Sequence, residues 1–199
     1  GNVSLYNETA EGAIPPTPVL MGMGIVSDIR KCVTSDLKSN GDIWLIGDNK
    51  EQMGASLYYR ELGIDCPNVP TTDFTSFIPR MEQLIEAIES GEVSACHDIS
   101  TGGIALAIIE MCMSGVGATI KLSGNMRDDL ELFSESNGRW LVQVKPGSEE
   151  KFSKRFDFAT KLGHVDKEIK FVLNNEENLT FSIEELRKLW TEPLWNRLA

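Results

Sequence analysis

The sequence predicts an α+β fold, a mixed sheet flanked by helices. Three observations lead there. Short apolar runs, several of them alternating with polar residues, read as strands. Runs with helical spacing lie among them without strict strand–helix alternation, which argues against a doubly wound sheet and for helices gathered on one side. The polar, glycine-bearing stretch Cys96-His97-Asp98-Ile99-Ser100-Thr101-Gly102-Gly103 joins one apolar run of strand type to another of helix type.

Taken in order, residues 1–16 are polar and end in Ile14-Pro15-Pro16, which predicts an extended loop because prolines fix φ. Pro18 to Ile25 predicts a strand, with Gly22 and Gly24 marking a crowded face. Residues 27–41 are charged and polar and close on the turn signal Ser39-Asn40-Gly41, so the domain boundary is placed here. Asp42 to Gly47 predicts a buried strand. Residues 51–60 suit a short helix or loop, and Cys66 to Asp73, with two prolines, a loop. The clearest amphipathic helix follows. It places Phe77, Met81, Leu84, Ile85 and Ile88 on one face, Ser76 as N-cap, Pro79 in the first turn and Gly91 past the end.

Next come a strand at 93–97 and a helix at about 101–114 that is apolar nearly all round. Ala118 to Leu122 predicts a strand, Asp128 to Phe133 a short helix, and Arg139 to Lys145 a strand. Residues 148–156 predict a helix with Phe152 and Phe156 one turn apart. Alternation over 158–165, 169–173 and 179–182 predicts three further strands, the last two joined by a turn at 174–178. Ser182 to Glu185 is a capping box. Ile183, Leu186 and Trp190 form the buried face of the helix it starts, and Pro193 should kink or stop that helix.

A chain of 199 residues, 41% hydrophobic and 25% charged, has the makings of a globular core. Its net charge of −11 argues against general affinity for nucleic acid or an anionic membrane. No apolar run approaches the roughly 18 residues of a membrane span, and no signal peptide is visible, so a cytoplasmic protein is expected. Cys32, Cys66, Cys96 and Cys112 are too far apart for a paired metal motif and are expected to be reduced, buried, small hydrophobes. The chain opens on Gly1 rather than a methionine and reads as a piece of a longer polypeptide.

The turn at 96–103 aims helix-start N–H groups at one point, which suits an anion. It also reads simply as a tight turn with Ser100 as N-cap and glycines chosen for room. His97 and Asp98 beside a helix start can hold metal or phosphate. Neighbours in a strand point to opposite faces, however, so the two are expected not to act together, and Asp98 has the alternative of capping the helix. His164 reads as a half-exposed sheet residue. Trp44, Trp140, Trp190 and Trp195 read as core or interface anchors.

Three stretches occur here in an order and spacing that resemble one family: Gly1-Asn2-Val3-Ser4-Leu5-Tyr6-Asn7-Glu8, the Pro16-Thr17-Pro18-Val19 strand entry, and His97-Asp98-Ile99-Ser100 with Gly102-Gly103. That family is phosphoribosylformylglycinamidine synthase, the synthetase subunit of purine biosynthesis, within the aminoimidazole ribonucleotide synthetase-like superfamily. Thr101 stands where the family usually carries Asp, which puts any role of that carboxylate in doubt. The resemblance implies that residues 1–35 are the tail of a second ATP-binding barrel subdomain and residues 36–199 a C-terminal flanking lobe.

It implies an ATP-dependent carbon–nitrogen ligase. ATP phosphorylates the amide oxygen of formylglycinamide ribonucleotide, and ammonia released from glutamine displaces the phosphate from the iminophosphate to give the amidine. Gly1 would approach ATP, Asn2 would reach Mg2+, and Ser4 would bind substrate. His97 and Asp98 belong to a second-half copy associated with a structural nucleotide site. Glu135 and Ser136, followed by Asn137, stand where the first-half copy carries a substrate-binding Glu-Ser-Gln. No catalytic residue falls in this piece, which is expected to be inactive alone. The implied partners are a glutaminase subunit, a small accessory subunit and the remainder of its own chain. Two alternatives stand beside this reading: a structural lobe without a ligand of its own, and another ATP-using member such as selenophosphate synthetase.

Overall fold

Strand pairing decides the architecture. The computed structural model describes residues 8–14, 19–174 and 178–198, and the chain divides into two units, Gly1–Arg30 and Lys31–Ala199. In the first unit β1 (Glu8–Thr9) and β2 (Gly12–Ala13) make a short antiparallel hairpin, closed by Gly12 at φ +130°. The strand predicted from residue 18 to 25 does not form. Residues 19–26 have no ladder partner among the described residues, and their apolar side chains are 61–101% exposed. An apolar run becomes a strand only where another strand accepts its N–H and C=O groups.

The second unit runs β3 (Asp42–Ile46), α1 (Leu57–Glu61), α2 (Phe74–Glu89), β4 (Val93–Asp98), α3 (Gly103–Met111), β5 (Gly117–Lys121) and α4 (Asp128–Phe133). It continues with β6 (Trp140–Val144), α5 (Glu149–Arg155), β7 (Thr160–Asp166), β8 (Ile169–Val172), β9 (Asn178–Phe181) and α6 (Ile183–Leu198). Seven strands form one sheet in the order β4-β6-β3-β7-β5-β8-β9. The β5–β8 pair is parallel and the other pairs antiparallel, so the sheet is mixed, as the sequence predicts.

Helices cover both faces rather than one. Ile43, Leu45 and Leu141 face a core under α3 and α4, whereas Ile46, Val142 and Val144 face a second core with Leu84 and Ala87 of α2 and Phe152 of α5. Period-two alternation along a fully apolar strand feeds both layers. Phe152 and Phe156 lie 4.7 Å apart between ring centroids, as their spacing predicts, and Trp44 packs edge-on against Phe152 at 5.6 Å. Gly163 of β7 lets the carbonyl of Thr119 in β5 approach closer than any side chain would allow.

Several local expectations are corrected. The N-cap of α2 is Asp73, not Ser76. Its carboxylate accepts from Thr75 N at 3.0 Å and from the Thr75 and Ser76 hydroxyls, and these bonds hold it below the usual carboxylate range. The helix therefore starts earlier, and Pro79 falls in its second turn. Ile85 is half exposed, and Ala87 takes the core position. Pro193 does not stop α6, which runs on to Leu198 although the proline offers no N–H to the carbonyl of Leu189, an exposed residue. Trp190 of the same helix is exposed, not buried. His164 is exposed, and the side chain of Trp195 lies outside the described residues.

All four cysteines are free, with Cys112 buried, Cys66 and Cys96 partly buried, and Cys32 exposed on the polar segment before β3. Burial pushes the Cys96 and Cys112 thiols up to about 12, which leaves them protonated and inert. No helix among the described residues is long and apolar enough to cross a membrane.

Candidate functional site

The turn after β4 is built against the loop before β6. Asp98 pairs with Trp140 across the ladder, and Ile99 N donates to Arg139 O at 3.0 Å, so 96–99 and 139–142 reach the sheet end together. The chain then reverses through Gly102 and Gly103, at φ +77° and +66°, a region that favours glycine. A Cβ on Gly103 would meet the carbonyl oxygens of Leu132 and Ser134 at 2.6 and 2.7 Å. Glycine is thus required twice over there, by conformation and by the close backbone. Gly102, not Ser100, is the N-cap of α3, and no side chain caps it, so Asp98 does not serve that role either.

The anion received at this helix start is internal. Oε1 of Glu135 accepts from Gly102 N at 2.9 Å and from Leu57 N, at the start of α1, at 2.8 Å. Ser136 is buried, with its hydroxyl 2.7 Å from that of Ser134 and 3.2 Å from Lys50 N, which donates to it. Both predicted residues of this loop are therefore committed to bonds within the chain. Asn137 is exposed and donates to Thr72 Oγ1 at 3.0 Å.

His97 is held between two carboxylates. Its Nε2 lies 3.0 Å from Glu110 Oε2 of α3 and its Nδ1 3.4 Å from Asp98 Oδ1. The expectation that His97 and Asp98 point apart is thus wrong. At the end of the strand, where pleating gives way to the turn, the neighbouring side chains come together. Asp98 is exposed, and so are Ser100 and Thr101, so the residue at the family's Asp position sits on the outer side of the turn.

Arg139 is the central residue that sequence reasoning passed over. It is 1% exposed and donates from Nε to Ser136 O, from Nη2 to Ser134 O and from Nη1 to Asn49 Oδ1, at 2.6–2.7 Å. Burial pushes its guanidinium down to about 10, with Glu135 opposing the shift, so it remains a cation at neutral pH. An arginine directly after an Asn-Gly turn and before an apolar strand was the available signal. A cleft of about 490 Å³ opens beside this cluster, with Phe74, Phe77 and Trp140 as an aromatic wall and Asp98, Ser100 and Asn137 as its polar side. Phe77 and Trp140 stack at 5.4 Å. Gly1, Asn2 and Ser4 lie outside the described residues.

Residues 43–174 match the family described as AIR synthase related protein, C-terminal domain. The chain belongs to this family. Within it, the chain is 38% identical over 204 aligned residues to the phosphoribosylformylglycinamidine synthase subunit PurL of Methanothrix thermoacetophila, covering 98% of this chain and 26% of that protein. The chain thus spans about a quarter of the length of that relative. Its fold resembles that of T. maritima PurL complexed with FGAR, with a TM-score of 0.65 and 19% identity, over 80% of this chain and 30% of that one. The hydrogenase maturation protein HypE shares the fold at a TM-score of 0.55 and 14% identity, over 75% of this chain and 55% of that one. The match to the AIR synthase related domain takes in His97, Asp98, Glu135 and Ser136, and Gly1, Asn2 and Ser4 precede it.

Proposed function

We propose that this chain is the C-terminal part of a PurL-type ligase, which converts formylglycinamide ribonucleotide, ATP and glutamine-derived ammonia to the amidine, ADP and phosphate. The observation that carries this reading is the 38% identity to a PurL across 98% of the chain. Residues 1–35 are read as the tail of a second ATP-binding barrel subdomain and residues 36–199 as the flanking lobe. Gly1 lets ATP come close, the amide oxygen of Asn2 serves Mg2+, and Ser4 binds the substrate. Magnesium, when bound, neutralises phosphate charge during transfer. Among the described residues no group of three or more His, Cys, Asp or Glu side chains is placed to hold a metal. The glutaminase and accessory partners and a cytoplasmic setting belong to the same reading.

A chimera tests it. This chain replaces the matching C-terminal quarter of the Methanothrix PurL, and ADP formation dependent on both formylglycinamide ribonucleotide and ammonia is measured. Retained activity that is lost on Asn2→Ala is expected, and none from the 199-residue chain alone. A folded but inactive chimera overturns the assignment. Turnover by the isolated chain overturns its dependence on the remaining polypeptide.

A second reading makes the lobe a scaffold that binds no nucleotide itself. It is favoured by one observation: Oε1 of Glu135, the hydroxyl of Ser136 and all three nitrogens of the Arg139 guanidinium are engaged in bonds within the chain. Calorimetric titration of the chain with Mg-ATP separates the two. Heat that disappears in Asp98→Asn supports a nucleotide site in the lobe, and no heat supports the scaffold.

A further inference from the structure

α2 carries more apolar surface than the sheet beneath it buries. Leu84 and Ala87 are its buried residues, and Ile88 packs at the edge of the same core. Beside them runs a second line, Phe74, Ile78, Met81, Ile85 and Ile88, whose alternating steps of four and three residues repeat the heptad seam of paired helices. Met81 is partly buried, but Phe74, Ile78 and Ile85 are 67%, 46% and 48% exposed. At about 1.5 Å per residue, Phe74 to Ile85 covers about 16 Å of helix. Apolar side chains exposed singly need no explanation. A row of them at this spacing is the surface one helix offers another.

The flank of the seam says what fits it. Glu82 and Glu89, one residue past Met81 and Ile88, take the place beside the seam on the side opposite Leu84. Both are exposed, and neither makes a hydrogen bond or ion pair among the described residues. The cations nearby are already taken: Arg80 by Asp48 at 3.0 Å, Arg155 by Glu86 at 2.8 Å and Glu92 at 3.0 Å, and Lys151 by Glu92 at 3.0 Å. Antiparallel pairing of α2 with a second copy would set Glu82 and Glu89 against their own counterparts, which repels. A helix with Lys or Arg at the facing positions meets both carboxylates instead.

We propose that Phe74, Ile78, Met81 and Ile85 dock an amphipathic helix of a partner polypeptide, apolar at heptad spacing and bearing Lys or Arg opposite Glu82 and Glu89. The surface is separate from the ligase reading and does not depend on it. The test is fluorescence anisotropy with two labelled synthetic helical peptides of about three heptads, Leu along the seam and either Lys or Glu at the flanking positions. Each is titrated with the 199-residue chain. The Lys peptide should bind saturably, and about tenfold tighter than the Glu peptide at low salt. Ile78→Asp and Ile85→Asp, with folding checked by circular dichroism, should each weaken the Lys peptide about tenfold, whereas a purely electrostatic attraction would grow with the added acid. Glu82→Lys combined with Glu89→Lys should reverse the preference between the peptides. No saturable binding of the Lys peptide overturns the proposal, and so does equal affinity for the two peptides. Undiminished binding in both isoleucine variants overturns it as well. Sedimentation of the chain as a dimer that Ile85→Asp dissociates also overturns it, because a second copy then fills the seam.

Discussion

Residues 42–46 and 19–26 are both short apolar runs, and they meet opposite fates. In β3, Ile43 and Ile46 are completely buried, and strands pair on both sides, β6 along its whole length and β7 with one register shift. In the earlier run Val19, Leu20, Met21, Met23 and Ile25 stand at least 81% exposed and pair with nothing in the described structure. Hydrophobicity is the same currency in both, so it does not decide the outcome. What decides is the supply of partners: β3 has two neighbouring strands and a layer of side chains above and below, and residues 19–26 have neither.

Substitutions separate the two runs by size of effect. Ile43→Ala should cost about 2–5 kcal/mol in urea unfolding, since it empties a position inside a closed core. Gly163→Ala should cost about 1–3 kcal/mol, because the added methyl meets the Thr119 carbonyl and must push β5 and β7 apart. Glu135→Ala should cost about 1–3 kcal/mol by stranding the N–H groups of Gly102 and Leu57, and hydrogen exchange should quicken at both amides. At the far end of the scale, Ile25→Ser should shift the unfolding midpoint by no more than about 0.5 kcal/mol. A large loss there would mean that the exposed run is supported in solution after all.

A pH series sharpens the contrast on the α2–α5 face. Burial pushes the Glu92 carboxyl up, but the Ser90 hydroxyl, the Lys151 ammonium and the Arg155 guanidinium more than reverse this and hold it below its ordinary value of 4.5. A carboxylate lowered on folding stabilises above its unfolded pKa and loses that contribution as pH falls through the folded value. The urea midpoint should therefore drop as pH is lowered from about 5. Glu92→Gln should start lower at neutral pH and show a shallower acid slope.

Sequence patterning revealed most of the second unit. Strands from β3 to β9 and the helices between them follow apolar period and turn residues closely, because each has the neighbours its pattern anticipates. Most errors fall where the deciding partner is remote; the cap of α2 is the local one. Asp73 displaces Ser76 as cap through its reach to Thr75 and Ser76. Residues 19–26 fail as a strand for want of a ladder. Helices on the second face follow from Ile46, Val142 and Val144 being as apolar as the residues between them, which no one-sided sheet would require. In the candidate site, the turn at 96–103 was legible as a turn. The commitment of Glu135 to it, from 33 residues away, was not. The role of Arg139 depends on carbonyls presented by a folded loop, and residue spacing carries no trace of those.

That single oxygen of Glu135 has one more consequence. A helix start that draws its counter-charge from within the chain needs none from solution. No phosphate or sulfate is needed to satisfy Gly102 N at the start of α3. The starts of α1 and α3 are thus tied to one atom, Oε1 of Glu135, without the sheet between them.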